Sequence, residues 1–130
     1  MEKNKKNTKI LGNIGEEEAL RYLMKKGHKL VDRNYKRLRG EIDLITENNN
    51  VLHFTEVKTV SRITLDSINN EEYLPEENLN EFKLKHFLNT IEYYLFEKEI
   101  FNICLQVNLV TIRVLKKGDY KIDFYQNINL

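Results

Sequence analysis

Apolar and polar residues along the chain follow two different periods. Over residues 12–26 the apolar positions recur with the spacing of an α-helix after an acidic first turn, and Gly27 is a natural C-terminal stop. Over residues 79–98 a second apolar stripe has the same spacing. It consists of Leu84, Phe87, Leu88, Ile91, Tyr94 and Leu95. The pattern therefore predicts two amphipathic helices.

The remaining apolar segments are short and typical of strands. They cover residues 28–33, 41–46, 51–58, 103–115 and 120–125. The asparagine-rich connector at 47–50 predicts a hairpin, and residues 60–78, which contain the only proline, predict a long loop. The predicted order is αβββαββ, which is one mixed α/β domain. We place this domain at residues 11–130, after a flexible basic tail at residues 1–10.

Length and composition agree with a single cytoplasmic domain. The chain has 130 residues, a mass of 15.6 kDa and 41% apolar residues, which is enough for a core. No segment reaches the roughly 18 consecutive apolar residues of a membrane span, and no apolar secretory segment follows the basic N-terminus. The single cysteine, Cys104, excludes an internal disulfide framework and a cysteine-based zinc site. We therefore expect a cytoplasmic protein with no membrane partner and no small-molecule cofactor.

The formal net charge of +1 conceals an uneven distribution along the chain. Residues 1–39 carry a net charge of +7, whereas residues 40–130 carry −6. The end of the basic block, just before the second predicted strand, holds Arg33, Lys36, Arg37 and Arg39. Such a block suits contact with phosphates, so DNA is the expected partner. The alternative is a basic tail with solvated helix faces, which needs no partner.

Glu16 stands at the edge of the apolar face of the first predicted helix. It lies three, four and seven residues before Ala19, Leu20 and Leu23, so helical geometry places all four on one face. A carboxylate in this position is a candidate functional group. The alternative is a helix-start acid that interacts favourably with the helix dipole.

The predicted hairpin carries three more charged residues within apolar strands. Strand alternation places Glu56 and Lys58 on the same face as Leu52 and Phe54. In the preceding strand it places Glu41, Asp43 and Ile45 on one face, and Ile42 and Leu44 on the other. Charges at the ends of central strands are costly to desolvate unless they pair or bind a metal. The alternative is a structural ion pair between Glu56 and Lys58.

These residues suit a magnesium site. Mg²⁺ prefers hard oxygen ligands and retains several waters, so two carboxylates and one main-chain carbonyl are sufficient. Asp43 and Glu56 are the candidate carboxylates, and Val57 supplies the candidate carbonyl. Lys58, on the same face as Glu56, is placed to hold an attacking water or to stabilise developing negative charge. The set is typical of phosphodiester hydrolysis.

Read together, four segments closely resemble the YraN family of uncharacterised bacterial proteins. They are GNIGEEEALRYLMKKG from Gly12, GEIDLI from Gly40, VLHFTEVK from Val51 and KLKHFLNTIEYYL from Lys83. That family is similar to a branch of the PD-(D/E)xK nuclease superfamily. The resemblance covers about residues 11–115. It implies the restriction-endonuclease-like fold shared with Holliday-junction resolvases, in which helices flank a mixed central sheet.

The resemblance also implies roles for particular residues. Asp43 matches the metal-binding aspartate of the superfamily, and Glu56 and Lys58 match its E-x-K pair. Glu16 matches a helix acid that helps to hold the metal or its water, and Lys83 matches a lysine at the start of the second helix, a further candidate for nucleic-acid contact. The implied metal is Mg²⁺ or Mn²⁺, and the resolvase-like relatives suggest a homodimer.

Three functions are open at this point. The leading one is a metal-dependent endonuclease that hydrolyses DNA, with branched or single-stranded DNA as candidate substrates. The second is a non-catalytic nucleic-acid-binding protein that keeps the fold. It is favoured by a departure from the family pattern in the fourth strand, where Gln106-Val107-Asn108 replaces an Arg-Phe-Asp run. The third is a structural or adaptor protein whose ion pairs only hold the fold.

Overall fold

The computed structural model describes residues 2–61, 81–115 and 119–128, in which two helices pack against one five-stranded sheet. Along the chain the elements are α1 (Glu2–Lys25), β1 (Lys29–Arg37), β2 (Gly40–Asn48), β3 (Val51–Ser61), α2 (Glu81–Glu97), β4 (Cys104–Val114) and β5 (Tyr120–Tyr125). The strands lie in the order β1-β2-β3-β4-β5, and only the β3–β4 pair of this sheet is parallel. The predicted order αβββαββ is confirmed.

The predicted hairpin is present as β2 and β3, which pair antiparallel from Asn48↔Val51 to Leu44↔Thr55. Its two turn residues, Asn49 and Asn50, have φ angles of 53° and 63°. A two-residue turn with both φ angles positive matches the right-handed twist of the strands, and asparagine tolerates this conformation well.

The two helices cover opposite faces of the sheet. On one face α1 contributes to a buried cluster of Ala19, Leu20, Leu23, Leu44, Val110 and Ile112. On the other face α2 contributes to a buried cluster of Ile42, Ile45, Leu52, Phe54, Phe87, Ile91, Tyr94 and Val107. Both predicted apolar stripes therefore face the core, as expected for amphipathic helices on a sheet.

Several element boundaries differ from the prediction. Helix α1 begins at Glu2, so residues 2–10, which we expected to form a flexible tail, are helical. Lysine and glutamate are good helix formers, and no proline or glycine precedes Gly12, so nothing in this segment stops the helix. Strand β1 continues to Arg37 because it pairs with β2 through to Arg37↔Gly40. Strand β3 runs to Ser61 because it pairs with β4 through to Ser61↔Val114, so the start of the loop predicted at 60–78 is strand, and the rest of that loop lies outside the described residues.

Strand β2 does not alternate as predicted around Asp43. Ile42 packs in the α2 cluster and Leu44 in the α1 cluster, so the prediction that they share a face is wrong. The adjacent strand β1 is also irregular at this point. Asn34, which lies between the pairs Arg33↔Leu44 and Tyr35↔Ile42, has a φ of 52°. A left-handed residue disturbs the pleat of its own strand, so the simple period of two is also broken in β1.

The order of elements and the mixed sheet are consistent with a restriction-endonuclease-like fold. Neither described helix is long and apolar enough to cross a membrane.

Candidate active site

Asp43 and Glu56 lie where β2 and β3 part. The paired register of the two strands extends to Leu44↔Thr55, and Asp43 and Glu56 are the next residues on each strand. The backbone N–H of Val57 donates a hydrogen bond to Oδ2 of Asp43 at 2.8 Å. The Asp43 carboxylate therefore takes the place of a backbone carbonyl as the acceptor between the two strands, and this hydrogen bond orients the carboxylate.

The carboxyl groups of Asp43 and Glu56 are hydrogen-bonded to each other. Burial, together with the negative charges of Glu16 and Glu41, raises the pKa of Asp43 to about 7, and only 8% of Asp43 is exposed. Burial and the neighbouring Asp43 together raise the pKa of Glu56 to about 9. Without a cation the pair therefore retains a proton near neutral pH, with the Glu56 carboxyl donating to the Asp43 carboxylate.

Two further carboxylates add negative charge to this pair. Burial and the nearby Glu41 raise the pKa of Glu16, and a hydrogen bond from Asn34 and the charge of Arg33 oppose that increase. Glu41 also raises the pKa of Asp43 and Glu56. The structure thus brings the predicted Glu16 into electrostatic contact with Asp43. Glu41 and Asn34 were assigned no role from the sequence, because an exposed acid and a turn-forming asparagine are common on any surface.

Lys58 follows Glu56 on the same face of β3, and its charge lowers the pKa of Glu56. On the parallel neighbour β4 the residue in register with Lys58 is Thr111, which is fully buried. The Oγ1 atom of Thr111 has no hydrogen-bond partner within the described residues. Thr111 is not predicted from the sequence, since a threonine in a strand rich in β-branched residues gives no signal of a site.

The donor set agrees with the chemistry of Mg²⁺. One buried and one half-buried carboxylate within hydrogen-bonding distance can share one small cation, and a cation there would replace the proton that the pair otherwise retains. The N–H and C=O of one strand residue face the same neighbouring strand, so the carbonyl of Val57 faces the Asp43 side. No group of three or more Asp, Glu, His or Cys side chains placed to hold a metal occurs within the described ranges. The fit therefore rests on two carboxylates and a carbonyl.

The predicted phosphate-binding cations do not form one patch. Arg33 forms an ion pair of 2.7 Å with Glu17 of α1. Arg37 lies on the side of α2, with its guanidinium 5.6 Å from the centre of the Tyr93 ring and 3.9 Å from a Glu97 carboxylate oxygen. Because the pleat of β1 is broken at Asn34, Arg33 and Arg37 face different helices. Lys36, Arg39 and Lys83 are exposed.

Two residues of the Gln106-Val107-Asn108 segment, Gln106 and Asn108, belong to a polar network, whereas Val107 packs in the α2 cluster. Asn108 is fully buried, and its Nδ2 lies 3.0 Å from Nδ1 of His53. Its Oδ1 accepts hydrogen bonds from Gln106 at 2.9 Å and from the backbone N–H of Asn127 at 3.2 Å. Next to His53 lies the ring of His28, 4.5 Å away between centroids. Both the amide oxygen and the amide nitrogen of Asn108 therefore have polar partners.

The sheet order, the two flanking helices and the carboxylate pair define an α/β protein of the restriction-endonuclease-like type. A family model for the uncharacterised protein family UPF0102 matches residues 15–116, and the chain belongs to this family, which is the YraN family indicated by the motifs. A UPF0102 protein of Clostridium novyi is 33% identical over 120 residues, covering 92% of this chain and 94% of the relative.

Two other members of the family are similar over comparable lengths. A UPF0102 protein of Carboxydothermus hydrogenoformans is 32% identical over 122 residues, covering 94% of this chain and 97% of the relative. One from Campylobacter jejuni is 34% identical over 118 residues, covering 91% and 92% of the two chains. The similarity therefore includes both helices and all the strands that carry the site.

Proposed function

We propose that this protein is a Mg²⁺- or Mn²⁺-dependent deoxyribonuclease. The observation that carries the proposal is the pair formed by buried Asp43 and half-buried Glu56, which share a hydrogen bond at the point where two central strands part. Two like charges in contact and largely shielded from water are costly for the metal-free fold, and perturbed carboxylates of this kind occur preferentially at functional sites. Lys58 beside the pair adds the cation that phosphodiester hydrolysis uses.

Each group has a definite task in such a reaction. The carboxylates of Asp43 and Glu56 and the carbonyl of Val57 would hold the divalent ion. When bound, the ion would neutralise charge on the phosphate and acidify the attacking water. The ammonium group of Lys58 would stabilise the negative charge that develops as the water oxygen bonds to phosphorus and the ester P–O bond breaks. Glu16 would help to orient the water or the ion, and the cations of β1 and Lys83 would contact DNA phosphates.

The test is cleavage of labelled duplex, single-stranded, flapped and four-way-junction DNA with Mg²⁺ and with Mn²⁺. Wild-type protein should cut at least one substrate, and Asp43→Asn should cut none and lose metal affinity in calorimetry. Asp119→Asn is the matched control, because Asp119 is exposed and lies outside the site. Its cleavage rate should equal that of the wild type. Wild-type protein that binds DNA but cuts no substrate with either metal would contradict the proposal.

The second candidate is a nucleic-acid-binding protein that does not cleave. It is favoured by the lack, in the described residues, of a third side-chain ligand beside Asp43 and Glu56. Both candidates predict phosphate contacts by Arg33, Lys36, Arg37 and Arg39. Replacing all four by glutamine should weaken DNA binding for every sequence and flatten its salt dependence. An unchanged salt slope would assign these residues to solubility.

A further inference from the structure

A cavity of about 930 Å³ lies between the β1–β2 turn and the outer face of α2. Its walls include Arg37, Leu38 and Arg39 on the turn, and Asn89, Tyr93 and Phe96 on the helix. We call it the turn–helix groove. Gly40 allows the two walls to approach closely, because a Cβ atom at this position would collide with the side chain of Thr90 on α2.

The groove exposes aromatic and apolar surface that the core does not use. Phe96 is 78% exposed, Tyr93 is 45% exposed and Leu38, at the tip of the turn, is 85% exposed. Large apolar side chains gathered in one concave place are uncommon on a protein surface without a binding role. The predicted stripe of α2 faces the core, so these rings are a second, separate apolar surface of the same helix.

Two guanidinium groups border these rings. Arg37 lies over the Tyr93 ring, with 5.6 Å between its Cζ atom and the ring centre, and Arg39 follows on the same turn. One acidic residue, Glu92, also lines the groove, and Glu97 lies 3.9 Å from Arg37 as a half-exposed ion pair that contributes little. Cations combined with exposed aromatic rings are the elements that single-stranded nucleic acids require, with phosphates on the charges and bases on the rings.

We infer that the turn–helix groove binds single-stranded DNA, with bases stacked on Tyr93 and Phe96 and phosphates on Arg37 and Arg39. Paired bases already stack inside a duplex, so their faces are not available to these rings. Gly40, in the groove wall, precedes Asp43 by three residues on β2, a span of about 10 Å along a strand. A strand held in the groove therefore passes close to the carboxylate pair. That this DNA strand is a substrate rests on the proposed function, whereas the binding of single-stranded DNA in the groove does not.

A second copy of this chain is the competing occupant. A two-fold interface places the same patch of both copies together, so Arg37 and Arg39 of both copies would share one interface in which Glu92 is the acidic residue of the groove. Like charges buried against each other are unfavourable, whereas phosphates neutralise them. Charge complementarity therefore favours DNA as the occupant.

The test is fluorescence anisotropy with labelled oligo(dT) of about 15 nucleotides, long enough for one binding groove, and with a duplex of the same length. EDTA in the buffer prevents cleavage, so binding is measured apart from catalysis. Wild-type protein should bind oligo(dT) more tightly than the duplex. Tyr93→Ala and Phe96→Ala should each weaken oligo(dT) binding by about 5- to 100-fold, the range typical of one stacked base, and change duplex binding by less than about twofold.

Phe101→Ala is the matched control, because Phe101 is 74% exposed but precedes β4, outside the groove. It should leave oligo(dT) affinity unchanged. Replacing Arg37 and Arg39 by glutamine should reduce the salt slope of oligo(dT) binding by about 1.4, or 0.7 for each lost phosphate contact. Circular dichroism melts should show folded variants, since the altered side chains are exposed or about half-exposed and none belongs to the buried clusters.

The inference is overturned if Phe96→Ala and Tyr93→Ala bind oligo(dT) like the wild type, or if Phe101→Ala loses as much affinity as they do. It is also overturned if these variants change the oligomeric state in light scattering while oligo(dT) affinity stays constant. Its failure is separate from failure of the nuclease proposal. A protein that cuts DNA without preferring oligo(dT) lacks the groove function, and one that prefers oligo(dT) through Phe96 but cuts nothing lacks the nuclease function.

Discussion

Replacing Asp43 by asparagine should stabilise the metal-free protein, although it removes the central residue of the proposed site. Burial and neighbouring carboxylates raise the pKa of Asp43 from 3.8 to about 7. Each pKa unit corresponds to about 1.4 kcal/mol, so ionised Asp43 costs the metal-free fold roughly 4 kcal/mol in mildly alkaline solution. Asparagine removes this cost. It still accepts the hydrogen bond from Val57 and can donate one to Glu56.

The expected gain in the free energy of unfolding is smaller than the cost of the ionised Asp43. The hydrogen bonds that now reach the charged Asp43 carboxylate become neutral ones, which offsets about 1–2 kcal/mol. A net stabilisation of roughly 2 kcal/mol should raise Tm by about 8 °C in a domain of this size. The sign depends on pH. Because the pKa of Asp43 is higher in the folded state, wild-type stability is complete below the unfolded value near 4 and is lost as pH rises through about 7.

The assay is thermal unfolding followed by circular dichroism in EDTA, from about pH 4 to about pH 8. The gain in Tm of Asp43→Asn over wild type should be near zero at the acidic end and largest at the alkaline end. Added Mg²⁺ should stabilise the wild type, by about 2.7 kcal/mol at a hundredfold excess over Kd, and leave the variant unchanged. Asp119→Asn should follow the wild type throughout. A variant that is less stable than the wild type by the same amount at every pH would refute the reasoning.

Three further predictions concern other parts of the molecule. Lys58→Ala should retain DNA and metal binding but lose about 10²- to 10³-fold in cleavage rate, measured in single-turnover kinetics with saturating protein. Burial lowers the pKa of both His28 and His53. The free energy of unfolding should therefore be highest above pH 6.5, the pKa of histidine in the unfolded chain, and should fall as the pH decreases below that value. Urea denaturation should show that His53→Gln reduces this acid loss. Gly40→Ala should destabilise the fold by about 1–3 kcal/mol in urea, because its Cβ would overlap the side chain of Thr90 on α2.

Each of these predictions has a clear opposite result. Equal loss of DNA binding and cleavage in Lys58→Ala would make Lys58 a binding residue rather than a catalytic one. An unchanged pH profile in His53→Gln would assign the acid loss to other groups. Gly12→Ala is the control for Gly40→Ala, because a Cβ at Gly12 meets no described atom within 4 Å and alanine favours a helix. If both alanine variants have equal stability, close packing at Gly40 is not important.

Much of the fold follows from local patterns that the sequence displays. The stripe of Phe87, Ile91 and Tyr94 predicted α2, and these three residues are all buried in one cluster. The residues Asn49 and Asn50 predicted the hairpin, and both adopt the left-handed conformation that its turn requires. Such features depend on neighbours a few positions apart, so a single sequence contains the information that determines them.

The candidate site was predicted residue by residue but not in its surroundings. Asp43, Glu56 and Lys58 were noticeable because a charge in an apolar strand is costly. By contrast, Thr111 became a neighbour of Lys58 only through the parallel pairing of β3 with β4, which joins residues more than fifty positions apart. Likewise, Arg33 and Arg37 face different helices because Asn34 between them is left-handed. Strict alternation of side chains along a strand predicts the same face for both.

The sequence by itself determined the element order, the apolar faces and the charged residues that are expensive to bury, since these depend on composition and local spacing. Only the tertiary structure decided that Asp43 and Glu56 share a hydrogen bond, and that Tyr93 and Phe96 stand beside Arg37 and Arg39 in one groove. The physical reason is that these relations depend on how distant strands and helices pack. Packing is set by the fit of all the core side chains together rather than by any local segment.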